Sequence, residues 1–148
     1  MPLRAVVYTS KRSERVTEQQ TLRLAADAER FNRLAGVTGV LLSDGQRFLQ
    51  YFEGPEDGVS AVYARVKASR SHTALLELAN GTVHQRLFPY WAMHVISAST
   101  MDTSRVAAAA WAPFDDVDSE NPDPSSGISC LDALVRQHLS TPNGRSTY

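Results

Sequence analysis

Residues 37–53 read V-T-G-V-L-L-S-D-G-Q-R-F-L-Q-Y-F-E. The first seven form an apolar run of strand length. Asp44-Gly45 is a pair that favours a hairpin turn. Residues 47–53 then return as the partner strand. Gly54-Pro55 ends that strand, and proline suits the first position of a helix. Glu56 and Asp57 complement the positive end of such a helix. Val59, Val62, Tyr63 and Val66 recur at helical spacing, which predicts a second amphipathic helix.

Upstream of the hairpin, Thr17 opens T-E-Q-Q, in which the hydroxyl caps a helix while Gln20 reaches back. Leu24, Ala28, Phe31 and Ala35 follow on one face, and Gly36 stops the helix. Residues 3–9, L-R-A-V-V-Y-T, precede it as a strand. Downstream, residues 73–83 hold a fourth strand that Asn80-Gly81 interrupts. Residues 90–96, Y-W-A-M-H-V-I, form a fifth. Its alternation sets Trp91, Met93 and Val95 on one face, with Tyr90, Ala92, His94 and Ile96 on the other. The order β-α-β-β-α-β-β predicts an α+β fold: a ferredoxin-like sheet with one added strand and two helices on one face.

Beyond Ser97 the texture changes. Residues 103–111 predict a short helix stopped before Pro113. Residues 115–127 carry five acids and no base, the pattern of a solvated loop. Ile128, Leu131, Leu134, Val135 and Leu139 mark a last amphipathic helix, and the tail from Thr141 is expected to fray. The expected organisation is a domain over residues 1–98 with a helical extension over 99–148. The two main helices leave one sheet face open, so the C-terminal helices or a second chain are expected to cover it.

Composition narrows the function. The chain has 148 residues, 43% of them hydrophobic and 21% charged, with a formal net charge of −1. That balance carries no basic footprint for nucleic acid. No run approaches the roughly 18 apolar residues of a membrane span, and the start lacks a secretory signal. A cytoplasmic protein is expected. Cys130 is the sole cysteine, which leaves no intrachain disulfide or cysteine-based zinc site. His84, His94 and His138 have no ligand partner at metal-binding spacing, so no metal is expected.

The third strand holds an odd residue. Phe48, Gln50 and Phe52 share a face, so an amide lies between two phenylalanines. Buried, it needs partners for its donors and acceptor; at an edge, water would serve. Asn32 is a second amide, near the end of the first helix, where an exposed position is the ordinary reading.

Together these residues change the reading. V-V-Y-T-S at 6–10, F-N-R-L-A-G-V-T-G at 31–39, F-L-Q-Y-F-E-G at 48–54 and W-A-M at 91–93 stand in order. Tyr8, Asn32, Gln50 and Trp91 are 24, 18 and 41 positions apart. In these motifs and separations the chain resembles the BLUF domains, sensors of blue light using FAD, over about two-thirds of its length.

The resemblance implies a flavin, FAD or alternatively FMN, held between the two helices. Asn32 would bond the ring's carbonyl and imide edge. Gln50 would bridge the flavin and Tyr8, and Tyr8 would be the redox partner of the excited flavin. Leu24 and Val66 would flank the ring, and Phe31 would be a further cofactor-binding residue. Arg65 would meet a phosphate and His72 the ribityl or phosphate portion, although a solvated helix face and a surface histidine are their ordinary readings. Trp91 and Met93 would compete for the space beside Gln50 and carry the change to the C-terminal helices. The photocycle would be net-neutral, with Gln50 left rotated or tautomerised and no substrate turned over.

The sequence departs from the family at Ser69 and Ser71, where many members carry an aspartate and an arginine. Phe31, Ser43 and Tyr51-Phe52 also differ. The 49 residues after Ser99 are too few for a fused output enzyme. The expected protein is therefore no enzyme. It signals to a partner protein and forms a homo-oligomer on the open sheet face and C-terminal helices. Two other readings stand beside it. One is a flavin-free interaction module on the same fold. The other is an acylphosphatase-like hydrolase, but its glycine-rich phosphate loop is missing from T-S-K-R-S-E-R at 9–15.

Overall fold

A computed structural model of the chain describes residues 2–111 and 123–140. Most of the acidic stretch, and the tail from Thr141, lie outside the described residues. The elements are β1 (Leu3–Arg12), α1 (Glu18–Ala35), β2 (Thr38–Ser43), β3 (Arg47–Pro55), α2 (Glu56–Ala68), β4 (His72–Val83), β5 (His94–Ser97), α3 (Thr100–Ala108) and α4 (Gly127–Ser140). The strands form one sheet in the order β4-β1-β3-β2-β5. Only β2 and β5 run parallel; the other neighbours are antiparallel. This is the expected α+β, ferredoxin-like plan. Among the described residues no helix is long and apolar enough to cross a membrane.

Local chemistry sets the helix ends. Thr17 accepts from the Gln20 backbone N–H at 3.1 Å, and Gln20 accepts from the Thr17 N–H at 2.9 Å, completing the capping box. Gly36 ends α1 at φ 73°, a conformation that glycine adopts without strain. Gly58 lets the two main helices meet: a Cβ there would lie 2.1 Å from the Ala35 carbonyl oxygen.

Alternation along β3 divides the core. Leu49 and Tyr51 join Val7, Val40, Leu42 and Ile96 on one face, where Val106, Trp111, Ile128, Leu131 and Val135 cover them. The C-terminal helices therefore supply the expected cover. With that face covered, a homo-oligomer would meet through the outer surfaces of those helices and not through the sheet itself. Phe48 and Phe52 lie on the opposite face, in two separate apolar clusters under α1 and α2.

Several boundaries differ from the sequence reading; β1, for one, runs on to Arg12. β4 runs through Asn80 and Gly81 without interruption, because both pair with β1, opposite Val6 and Ala5. Pro55 caps α2 from outside instead of opening it. α3 starts earlier, where Ser99 accepts from the Asp102 N–H at 3.0 Å, and Trp111 lies beyond it with its indole N–H on the Val106 carbonyl. β5 begins only at His94.

The residues before β5 are irregular because bonds from distant elements hold them. Buried Glu53 accepts from the N–H groups of Leu87 at 2.8 Å and Phe88 at 2.6 Å, and from the Tyr51 hydroxyl at 2.9 Å. Arg86 donates to the Gly36 carbonyl and the Thr38 hydroxyl, each at 2.8 Å. Burial raises the Glu53 carboxyl above its ordinary range, against the lowering pull of those hydrogen bonds and of Arg86.

A raised value means that the folded protein keeps this proton to higher pH than the unfolded chain does. The contribution to stability is full below the unfolded glutamate's value and declines as pH rises through the folded one. Glu53→Ala orphans two backbone donors and is expected to cost about 2–4 kcal/mol in urea unfolding. Glu53→Gln is expected to cost less and to flatten the decline of stability above the normal glutamate range.

Candidate functional site

Tyr8 and Gln50 are direct Cα partners in the β1–β3 ladder. Leu41 pairs with Gln50 from the other side, and Val95 pairs with Leu41. A row of side chains thus crosses the sheet beneath α1 and α2. In its middle the Tyr8 hydroxyl donates to Gln50 Oε1 at 2.5 Å. Both residues are buried, at 4% and 3% exposure, so Gln50 is neither an edge amide nor a surface one.

Above this pair lies a cavity of about 400 Å³. Ala25, Leu41, Phe48 and Met93 bound it on one side and Tyr8 and Val62 on the other, so it separates the two apolar clusters. Asn32 also lines it and is 2% exposed, which sets aside the surface reading. One Asn32 amide N–H donates to the Ala92 carbonyl at 2.9 Å. The oxygen and the second N–H remain for a ligand. Leu24, Val66, Arg65 and His72 line the cavity as well.

Two of the sequence candidates lie elsewhere. Phe31 is absent from the cavity wall; it packs with Val37 and Phe52, under the Arg65 guanidinium 4.6 Å from its ring centre. Trp91 is on the opposite sheet face from Met93, which corrects the expected alternation. It stacks on His94, with 4.7 Å between ring centres, and against Phe88. The irregular backbone before β5 breaks the strand period that the alternation assumed. Met93 alone of the two reaches the cavity.

His72 lines the cavity, but both ring nitrogens serve the protein. Nε2 bonds the Val66 carbonyl at 2.8 Å, and Nδ1 bonds the Ser10 hydroxyl at 2.7 Å. A carbonyl only accepts, so Nε2 carries a proton. The ring stands 5.9 Å from that of Tyr8 and buttresses it. Sequence reasoning missed Ser10, although the strand period places it beside Tyr8. It also missed Tyr63, which stacks on Tyr8 at 6.4 Å and donates to Glu77 at 2.8 Å.

The electrostatics keep the phenols protonated. Burial, and then Tyr63, raise Tyr8 well above the ordinary tyrosine value. Burial, with the hydrogen bond to Glu77 and its charge, pushes Tyr63 up to about 12. Tyr8 is therefore a neutral donor aimed at an amide oxygen in an apolar cavity. A planar, mostly apolar ligand with polar atoms on one edge fits such walls. The flavin ring has that character, and the cavity volume lies in the usual range for small-molecule sites.

The family model for sensors of blue-light using FAD matches residues 3–94. The chain belongs to the BLUF family. The BLUF domain is a sensor module, and the family binds flavin. Among curated relatives, the chain is 31% identical over 103 residues to photoactivated adenylate cyclase subunit beta of Euglena longa, covering 66% of this chain and 12% of that protein. It is 30% identical over 76 residues to the blue light- and temperature-regulated antirepressor BluF of Escherichia coli, covering 51% of this chain and 19% of that one. The chain thus spans about an eighth of the length of the cyclase subunits. Among solved structures, it resembles BlrB, a BLUF protein in its dark state (TM-score 0.65, 24% identity, 90% of this chain and 97% of that one). BlsA in its ground state is similar too (TM-score 0.66, 21% identity, 100% and 92%). These likenesses place the BLUF fold over most of the chain.

The Tyr8–Gln50 bond makes a stability prediction. Tyr8→Phe or Gln50→Leu alone leaves a buried polar partner behind and is expected to cost about 1–3 kcal/mol. The double variant is expected to cost less than the sum, by roughly 0.5–2 kcal/mol in urea unfolding. Strict additivity would mean that the bond carries no coupling.

Proposed function

We propose that this protein senses blue light through a Tyr8–Gln50 hydrogen-bond switch and passes the change to a partner protein through Met93, β5 and α4. The observation that supports it best is the buried 2.5 Å bond from Tyr8 to Gln50 Oε1, at the wall of an apolar cavity. Asn32, Gln50, Leu24, Val66 and Arg65 are the side chains that would hold the flavin, FAD or alternatively FMN. When bound, that group supplies absorption of blue light and an acceptor for one electron.

The protein's own groups supply the rest. A phenol can release an electron and a proton and take both back, and Tyr8 is held neutral for that role. Gln50 holds Tyr8's proton in a defined direction. Because an amide carries donor and acceptor on one end, a turn or a tautomer change exchanges them and leaves a second stable arrangement. Leu41, Phe48 and Val62 exclude water that would otherwise compete for those bonds. Nothing in this cycle consumes a substrate.

Met93 touches the cavity from the residue just before β5, and Asn32 holds the neighbouring Ala92 carbonyl. A turned amide would press on Met93 and shift β5 against β2. On the far face, His94 continues the path. Its ring lies 6.3 Å from that of His138 on α4. Burial and then His138 lower the His94 pKa, which favours a neutral ring in that contact. Trp91 backs His94 from the other side. In this reading residues 1–98 are the sensor and 99–148 the output extension, consistent with a family match that ends at residue 94. Self-association would use helix surfaces, since the sheet face is filled.

The test is an absorption spectrum of the purified protein before and after blue light. A flavin spectrum that shifts slightly to the red and recovers in the dark is expected. Tyr8→Phe and Gln50→Leu should each abolish the shift while flavin stays bound, and Trp91→Ala should leave it nearly unchanged. Absence of bound flavin, even after reconstitution, would instead favour an interaction module on this fold.

A further inference from the structure

Among the described residues, the rings beside Tyr8 are Phe52, edge-on with 6.3 Å between ring centres, His72, tilted at 5.9 Å, and Tyr63, stacked at 6.4 Å with 23° between the planes. Phenylalanine resists oxidation, and an imidazole is harder to oxidise than a phenol. Tyr63 is therefore the neighbour that can give Tyr8 an electron. Tyr51 and Trp91 are oxidisable too, but they lie on the opposite face of the sheet.

The surroundings of Tyr63 suit that step. A phenol loses an electron readily only when its proton leaves as well. The Tyr63 hydroxyl donates to Glu77 Oε1 at 2.8 Å, within the range for direct proton transfer. Glu77 is the Cα partner of Tyr8 in the β1–β4 ladder, so the pairing that sets Tyr8 also sets this acceptor. Glu77 Oε1 accepts from the Asn80 amide at 3.2 Å as well, and Asn80 Oδ1 accepts from Arg4 at 2.7 Å, which holds the carboxylate toward Tyr63. Tyr8 is aimed at a neutral amide oxygen, Tyr63 at a carboxylate, and a carboxylate binds a proton far more strongly than an amide does. Lys67 Nζ lies 4.4 Å from the Tyr63 ring centre and opposes any positive charge on that ring. The electron and the proton must then leave together, and Glu77 stands where the proton goes.

We propose that Tyr63 is a second electron donor, which refills Tyr8 after its light-driven oxidation and passes its own proton to Glu77. The inference rests on the switch proposed above. In the first step Tyr8 gives one electron to the light-excited, oxidised flavin and its proton to Gln50. In the second, Tyr63 gives one electron to the Tyr8 radical. The Tyr63 O–H bond breaks and an O–H bond forms on Glu77, while the proton held by Gln50 re-forms the Tyr8 O–H bond. Tyr63 is left as a neutral phenoxyl, with Tyr8 and Gln50 as they began. When the electron returns to Tyr63, Glu77 gives the proton back. Each oxidation that reaches Tyr63 therefore ends without a rearranged Gln50, so this pair sets a ceiling on the yield of the light signal. It also holds the radical on a half-buried ring instead of in the buried site.

The experiment compares the flavin-loaded wild type with Tyr63→Phe and Glu77→Gln. The first keeps the ring stack without the hydroxyl; the second keeps a hydrogen-bond acceptor without the charge. Transient absorption follows the tyrosyl radical after a blue pulse, and electron paramagnetic resonance of samples frozen under illumination identifies it. The wild-type radical is expected to outlive that of either variant by at least about tenfold, a barrier difference of about 1.4 kcal/mol. Both variants should reach the red-shifted state in higher yield per absorbed photon. Flavin-depleted, both should unfold in urea close to the wild type, since the stack and the acceptor remain. A radical lifetime and a red-shift yield unchanged in either variant would overturn the second donor and leave the Tyr8–Gln50 switch standing. No red shift in the wild type would overturn both.

Discussion

The register of β1 against β3 is the constraint on which the rest depends. It sets Tyr8 directly opposite Gln50, with Val6 opposite Phe52 and Ser10 opposite Phe48. Strand side chains alternate between faces, so a slip of one residue would send Gln50 to the other side of the sheet. The amide would then lie among Leu49's neighbours, and Glu53 would turn toward α1 and α2. The apolar residues around Gln50 oppose that slip, since Phe48 and Phe52 would leave their clusters with it. Phe48, which walls the site, therefore also helps to fix its register.

One strand thereby serves both faces. Phe48 and Gln50 line the cavity and Phe52 packs beside it with Tyr8 and Val62, while Leu49, Tyr51 and Glu53 face the C-terminal helices and the residues before β5. Those residues are held from several directions: Glu53 takes the Leu87 and Phe88 N–H groups, the Gly39 N–H reaches the Trp91 carbonyl at 2.9 Å, and Asn32 takes the Ala92 carbonyl. Met93 and Trp91 can thus point to opposite sides of the sheet although only one residue separates them. A displacement at Met93 would reach the far face through the backbone they share.

What could be read in the sequence was what local chemistry controls. The capping box at Thr17, the stop at Gly36, the Asp44-Gly45 turn and the alternation around Gln50 each act within a few residues. The family motifs added Tyr8, Asn32 and Gln50, which the fold brings to one cavity. The approach to β5 was not legible, because Glu53, Gly39 and Asn32 hold it across long sequence separations, and alternation assumed a strand that the bonds do not allow. Asn80-Gly81 misled for the opposite reason: turn propensity is weak against a full ladder of pairing with β1. The Ser99 cap was visible but overlooked, since the apolar run at Val106 drew the helix start forward.

Magnitudes limit what the proposed Tyr8–Gln50 switch could do to α4. A rearranged hydrogen bond changes the balance by about 0.5–1.5 kcal/mol net, or somewhat more where it leaves a buried group unpaired. Driving an output element from mostly off to mostly on takes about 5.5 kcal/mol. α4 is anchored by Ile128, Leu131 and Val135, each at most 5% exposed. Burial of three such side chains is worth at most roughly 5–9 kcal/mol. A turned Gln50 cannot release that helix from the sheet. On the proposed route it would tilt the helix by repacking the ring contact between His94 and His138. The output that would fit these energies, on that proposal, is a change in the surface α4 presents, graded in population, with a partner that binds one arrangement more tightly supplying the remaining free energy.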